Sequence, residues 1–185
     1  NHLEQTINMM HSSGLKKSFG IYCPQVLSTK IMLGPMRLLI DKYNYEVELH
    51  EVFLAPDSAE DLLAYRKADL VFAFTPLNSR SITCSRFSQL PFVLVCREDH
   101  PRISENPTCE EILNENFTAY LSDASSVKAY QEQVDHFLTE RNIVFRSDSF
   151  ISLLTMISSS DLIGIAPVAT FEQYGSALKL RKIET

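Results

Sequence analysis

Three short polar strings stand where a strand-like run gives way to a helix-like one. They hold the side chains best suited to hydrogen-bond a small molecule. They are Pro24-Gln25-Val26-Leu27-Ser28-Thr29, Ser122-Asp123-Ala124-Ser125-Ser126 and Ser147-Asp148-Ser149-Phe150; a fourth pair, Phe74-Thr75, closes an apolar strand-like run. The first amides of a helix have no partners within it, and the helix dipole leaves them partly positive. Amides and hydroxyls gathered at such a point suit a carboxylate or another small anion. The same serines and threonines also serve as plain N-caps, and the two roles are compatible. Arg80, Arg86 and Arg146 could neutralise an acidic ligand, although a solvated surface position is the commoner fate of an arginine.

Covalent catalysis and metal chemistry find less support. No G-x-S-x-G string is present, and His100 belongs to a strand-terminating turn rather than facing a serine turn, so the chain is not expected to be an enzyme. Cys23, Cys84, Cys96 and Cys109 include no C-x-x-C pair, and His2, His11, His50, His100 and His136 include no pair four residues apart. A zinc site needs its ligands clustered, so neither a metal nor a cofactor is expected. Two disulfides are arithmetically possible, but buried free thiols in a reducing compartment fit a chain with an evident core better.

The elements that must hold the polar turns alternate. Residues 1–12 carry Leu3, Ile7 and Met10 at helical spacing, and Phe19 to Cys23 reads as a buried strand. A helix is expected from Val26 to Tyr43, with Leu27, Ile31, Met36, Leu39 and Ile40 facing the core and Pro35 kinking or breaking it. Residues 46–54 alternate as a strand with one wetter face, and Asp57 with Glu60 has capping-box spacing before a helix carrying Leu62, Leu63 and Tyr65. Residues 70–74 form a third strand, with Asp69 serving the helix–strand join, and residues 75–89 are a polar irregular crossing.

Strands at 90–96, 117–121, 143–145 and 162–166 then alternate with helices at 108–113, 125–141, 150–157 and 167–174. This is the pattern of parallel βαβ units, and it makes two α/β lobes joined by a crossing strand. Such lobes put a ligand in the groove where carboxyl ends of strands and amino ends of helices converge.

The totals agree with a globular domain of this size. Hydrophobic residues are 45 % and charged residues 22 % of 185, enough for two small lobes and unlike a disordered segment. Seventeen basic against 23 acidic residues leave a net charge of −6, which repels a phosphate backbone and argues against nucleic-acid binding by these residues themselves. No apolar run is long enough to cross a bilayer, since 31–40 is interrupted by Gly34, Pro35 and Arg37.

Several strings resemble the effector-binding domain of LysR-type transcription regulators, in order and over almost the whole chain. Ile31 to Met36 followed by Asp41 to Leu49 is similar to the family's first helix and its "YP-x-V-x-L" strand, with Tyr45 in the proline's place. Asp57 to Phe72 is similar to the second helix and "G-x-L-D-L-A" strand; Asp69 keeps the aspartate, while Arg66 replaces the glycine. Phe92-Val93-Leu94-Val95 with His100-Pro101 resembles the "LVLV…HP" crossing strand. Ser147 to Phe150 through Leu162 to Pro167 resembles the "S…V-x-x-G-x-G-I-A-x-L-P" region, with Asp161 at its first glycine.

The resemblance implies an α/β fold of two Rossmann-like lobes around a ligand cleft, of the type 2 periplasmic-binding-protein kind. It divides the chain into the end of a linker helix (1–14), lobe I with the crossing strand (15–98), lobe II (99–168) and a return segment (169–185) that lacks the family's last strand and helix. It implies a small anionic effector held by Pro24, Gln25, Ser28, Thr29, Phe74, Thr75, Ser122, Asp123, Ser125, Ser149 and Phe150. It also implies a cytoplasmic homodimer or tetramer formed through the helices 26–43 and 125–141. DNA would be met only through an amino-terminal winged helix-turn-helix outside these residues, and no membrane is involved. The alternative is a periplasmic-type solute-binding protein of the same topology, delivering a ligand to a transporter.

Overall fold

A computed structural model describes residues 17–28, 31–52, 54–73, 76–121 and 140–184, apart from the side chains of Val26 and Ser28. The first lobe is built on β1 (Lys17–Tyr22), β2 (Tyr45–His50) and β3 (Leu70–Val71), in the order β2-β1-β3 and all parallel. Along β1, Phe19, Ile21 and Cys23 point to one face and join an apolar cluster, while Gly20 points to the other. β2 has the alternation expected of it: Tyr45, Val47 and Leu49 are half-buried, and Glu46, Glu48 and His50 are exposed. Asp69 makes the expected join twice over. Its carboxylate accepts from Gly20 N at 2.8 Å, and its own N–H donates to Gly20 O at 2.9 Å.

The expected helix from Val26 to Tyr43 is in fact two, α1 (Gln25–Ser28) and α2 (Leu33–Asp41). Ile31 and Met32 lie in a turn and bend between them. Pro35 does not kink a long helix; it is the third residue of α2, a position whose N–H would have no helical partner in any case. The new start resets the phase of the helix. Met36 and Leu39 pack inward and Met32 is buried, but Ile40, expected in the core, is 49 % exposed.

The capping box at Asp57 is also corrected. The helix α3 (Pro56–Ala64) begins two residues earlier, with Ala55 as N-cap and no side-chain cap, because Pro56 already holds the backbone angle that the first helical position needs. Tyr65, expected on the helix, is its C-cap and lies open to solvent.

Residues 76–91 run without regular structure to β4 (Phe92–Arg97). The second parallel pair is β5 (Asn116–Tyr120) with β6 (Asn142–Ser147), preceded by α4 (Cys109–Leu113). Here the capping box expected at Thr108 and Glu111 is present in both directions. α5 (Phe150–Ser158), β7 (Gly164–Pro167), α6 (Val168–Tyr174) and β8 (Leu180–Ile183) complete the described chain. The third sheet, β7-β4-β8, is antiparallel, so the crossing strand β4 is flanked on both sides by the carboxyl-terminal part of the chain.

Among the described helices α5 is the most apolar, and it lies at the centre. Phe150 and Leu153 belong to one buried cluster with Ile21, Cys23, Leu27 and Met32 of the first lobe. Leu154 and Ile157 belong to another with Val95, Ala166 and Leu180. A single helix therefore fills the interior between the parallel first-lobe sheet and the antiparallel one. No helix among the described residues is long and apolar enough to cross a membrane.

Candidate functional site

The carboxyl ends of β1 and β6 deliver two of the polar turns to the same place. β1 runs into Cys23, whose N–H donates to His50 O at 2.9 Å, and then into the fully buried Pro24. Pro24 O accepts from Leu27 N at 2.9 Å, which closes the first turn of α1 and leaves Gln25 half-buried at its start. Ser149, after β6, is the N-cap of α5: its backbone is extended and its Oγ accepts from Ser152 N at 3.3 Å. The same hydroxyl donates to Gln25 Oε1 at 3.3 Å, a contact between residues 124 apart in sequence. Ser147 Oγ accepts from Ser149 N at 3.1 Å and so fixes the turn's backbone.

Phe150 follows directly. It is 4 % exposed and stacked on Tyr120, with ring centroids 4.6 Å apart and planes 14° from parallel. Tyr120 ends β5, as Ser147 ends β6, so three strand ends contribute to one region. Burial, with the Asp148 carboxylate nearby, raises the Tyr120 phenol well above its ordinary value. Tyr120 was not singled out from sequence; an aromatic residue closing a strand parallel to its neighbour was the available signal. Beneath Gln25, burial and then Glu51 push the Cys23 thiol up to about 12, so it stays protonated and unreactive at neutral pH.

Of the residues expected to contact a ligand, the structure thus brings together Pro24, Gln25, Ser149 and Phe150. Pro24 and Phe150 are buried beside them in sequence, and Gln25 and Ser149 supply the polar atoms that meet. Thr29, Phe74, Thr75, Ser122, Asp123 and Ser125 lie outside the described residues, as do the side chain of Ser28 and the helix expected at 125–141 up to residue 139.

A second polar region lies at the other end of α5. An open concavity of about 330 Å³ is lined by Arg97, Asp99, Asp161, Lys179 and the serine run 158–160. Three of its charges are paired with one another: Arg97 lies 2.7 Å from Asp99 and 2.6 Å from Asp161. His100 sits beside it as a structural residue. Its Nδ1 accepts from the N–H groups of Arg102 and Ile103, which places the proton on Nε2, and Nε2 donates to Asp161 O at 2.8 Å. With both ring nitrogens engaged and the side chain buried, His100 has no face to offer a substrate. Among the described residues no group of His, Cys, Asp and Glu side chains is arranged to hold a metal ion.

Comparison with known proteins agrees with this architecture. Residues 13–184 match the family model described as the LysR substrate binding domain. An uncharacterised HTH-type transcriptional regulator of Escherichia coli K12, YbdO, is 37 % identical over 182 residues, which cover 98 % of this chain and 61 % of YbdO. The chain therefore spans about three fifths of that relative's length. Among solved structures, the regulatory domain of MexT, a transcriptional activator in Pseudomonas aeruginosa, superposes with a TM-score of 0.70 at 15 % identity, covering 91 % of this chain and 82 % of that one. The CcmR regulatory domain of Synechocystis PCC6803, solved in complex with 2-PG, gives a TM-score of 0.68 at 15 % identity, over 91 % and 80 %. These likenesses establish the fold as the two-lobed α/β type of LysR effector-binding domains.

Proposed function

We propose that this chain, which belongs to the LysR substrate-binding domain family, senses a small anionic metabolite in the groove between its lobes and relays that binding within a DNA-binding transcription regulator. The observation that carries the reading is the meeting of Gln25 and Ser149, two helix-start residues 124 apart in sequence, next to a buried apolar cluster. A groove of this kind offers directed hydrogen bonds above a water-excluding base, which is the usual build of a small-molecule site. The ligand-contacting set is Pro24, Gln25, Ser28, Thr29, Phe74, Thr75, Ser122, Asp123, Ser125, Ser149 and Phe150. The complex of the CcmR regulatory domain with 2-PG supports a small-molecule effector for this fold.

The division into linker (1–14), lobe I (15–98), lobe II (99–168) and return segment (169–185) belongs to the same proposal. So do a cytoplasmic location and DNA contact through a winged helix-turn-helix, which the name of YbdO supports. No catalytic step is assigned. Transport delivery is not favoured, because the matching family is one of regulators. An effector acts here by preferring one lobe arrangement, and the shift it produces is bounded by its differential affinity for the two states.

The test is a thermal-shift screen of small organic acids that includes 2-PG. A ligand at about a hundred times its Kd stabilises the folded form by about 2.7 kcal/mol, which raises Tm by roughly 5–10 °C in a chain of this size. Gln25→Ala should abolish the shift. A screen in which no acid moves Tm, or in which Gln25→Ala leaves the shift whole, would sink the reading.

A further inference from the structure

The contact between Gln25 and Ser149 does more than mark a groove. A serine hydroxyl has one proton to give, and that of Ser149 is committed to Gln25 Oε1. One of its two lone pairs is committed as well, since it accepts the free amide of Ser152 and so caps α5. Ser147 Oγ holds the Ser149 backbone from the other side. The hydroxyl's single proton is therefore fully committed in this arrangement.

Each partner is fixed to its own lobe. Gln25 opens α1 directly after buried Pro24, at the end of the central strand of the first sheet. Ser149 opens α5, whose first turn puts Phe150 and Leu153 against Ile21, Cys23 and Leu27. The polar contact is thus backed by a shared apolar one, and neither residue can move far without its helix.

We infer that Gln25 and Ser149 form a clasp that holds the two lobes in the arrangement seen here. Ser149 cannot donate to any other acceptor until Gln25 lets go. The clasp is a device of the fold itself; it goes beyond the assignment of an effector and does not depend on which ligand, if any, enters the groove.

Its test accordingly uses the full chain without ligand. Amide hydrogen exchange, read by mass spectrometry, compares the wild type with Gln25→Leu and Gln25→Glu. Gln25→Leu keeps the bulk and leaves the Ser149 cap in place but accepts no hydrogen bond. Gln25→Glu keeps an acceptor oxygen at similar reach. Gln25→Leu is expected to raise exchange about fivefold in the segments 24–28 and 147–153, with β4, β7 and β8 exchanging at wild-type rates. Gln25→Glu is expected to match the wild type. Should Gln25→Leu aggregate, Gln25→Ala is read in its place against the same expectations. Unchanged exchange in the variant lacking the acceptor, acceleration spread evenly over the chain, or Gln25→Glu behaving like Gln25→Leu overturns the clasp. A ligand screen that fails leaves this result standing, and loss of the clasp leaves the screen to be judged alone.

Discussion

Arg97 Nη2 stands 2.6 Å from Asp161 Oδ1, tying the end of the crossing strand to the loop that follows α5. The other carboxylate oxygen reaches Arg102 Nη1 at 3.2 Å, and Arg102 in turn grips the buried carboxylate of Glu115 with two bonds of 2.7 and 2.8 Å. The hydrogen bond from Arg97, more than any other contact, holds the Asp161 carboxyl below its ordinary value of 3.8, and Arg102 adds to it. The hydrogen bond from Arg97 lowers Asp99 likewise.

A carboxyl group lowered on folding resists protonation in the native state. Its stabilisation is fully present above the unfolded value and is lost as pH falls through the folded one. Asp161→Asn should therefore lower the urea midpoint at about pH 7 and lower it less and less below about pH 4. Urea titrations of both proteins across that range check this. A deficit that stayed constant down to about pH 2 would assign the effect to something other than the carboxylate charge.

Arg66 has a φ of 54° directly after α3, in the left-handed region that favours glycine. Its N–H donates to Leu63 O at 3.1 Å and that of Lys67 to Leu62 O at 2.8 Å, the paired bonds of a Schellman ending. This is also the position where the family's motif carries glycine. Arg66→Gly should stabilise the chain by about 0.5–1 kcal/mol, the relief of the strained angle exceeding the entropy that glycine adds to the unfolded state. A chemical-denaturation midpoint that fell on substitution would contradict the argument.

Strand and helix alternation was readable because each element repeats its apolar residues at its own period, as β2 does with Tyr45, Val47 and Leu49. Where local chemistry decides, sequence and structure agree, as at the Thr108 capping box. They part where a choice between two local devices is settled elsewhere. Pro56 displaced Asp57 at the start of α3, and the helix expected from Val26 to Tyr43 is broken before Pro35, which sits in the first turn of a new helix. β8 was not anticipated as a strand, because its partner β4 lies more than 80 residues earlier and its own four residues show no clear alternation. Within the site, the turns could be listed from their residue types. The pairing of Gln25 with Ser149 could not, since it depends on how two lobes meet.

α2 leaves large apolar side chains open to solvent: Leu33 and Ile40, seven residues apart and on one side of the helix, are 54 % and 49 % exposed, and Leu38, on the opposite side, is 51 % exposed. In a chain with net charge −6, large apolar side chains left outward on a nine-residue helix fit the subunit contact that the family resemblance implies for this helix. Where the chain pairs through α2, sedimentation velocity at micromolar concentration should find a wild-type dimer and a monomer of the variant with Leu38→Asp and Ile40→Asp. Being surface changes, they should move the stability of each chain by no more than about 0.5 kcal/mol. An oligomeric state unchanged by the double substitution would remove α2 from the interface.

Gly164 opens β7 opposite Val95 of the crossing strand, and it is there because nothing larger fits. A Cβ at this position would collide with Thr118 Oγ1 and come within 3.0 Å of Ile157 Cδ1. Both neighbours are buried, Thr118 on the strand β5 and Ile157 in the last full turn of α5, so neither swings freely aside. Gly164→Ala should therefore cost about 1–3 kcal/mol through overpacking, even though alanine suits a strand better than glycine. Adding Thr118→Ala removes the atom that collides and should return part of the loss. The two effects should be visibly non-additive, because the side chains occupy one space. Urea unfolding of the two single variants and the double variant measures that coupling. Additive losses would mean that the strand shifts to make room and that close approach is not what the glycine provides.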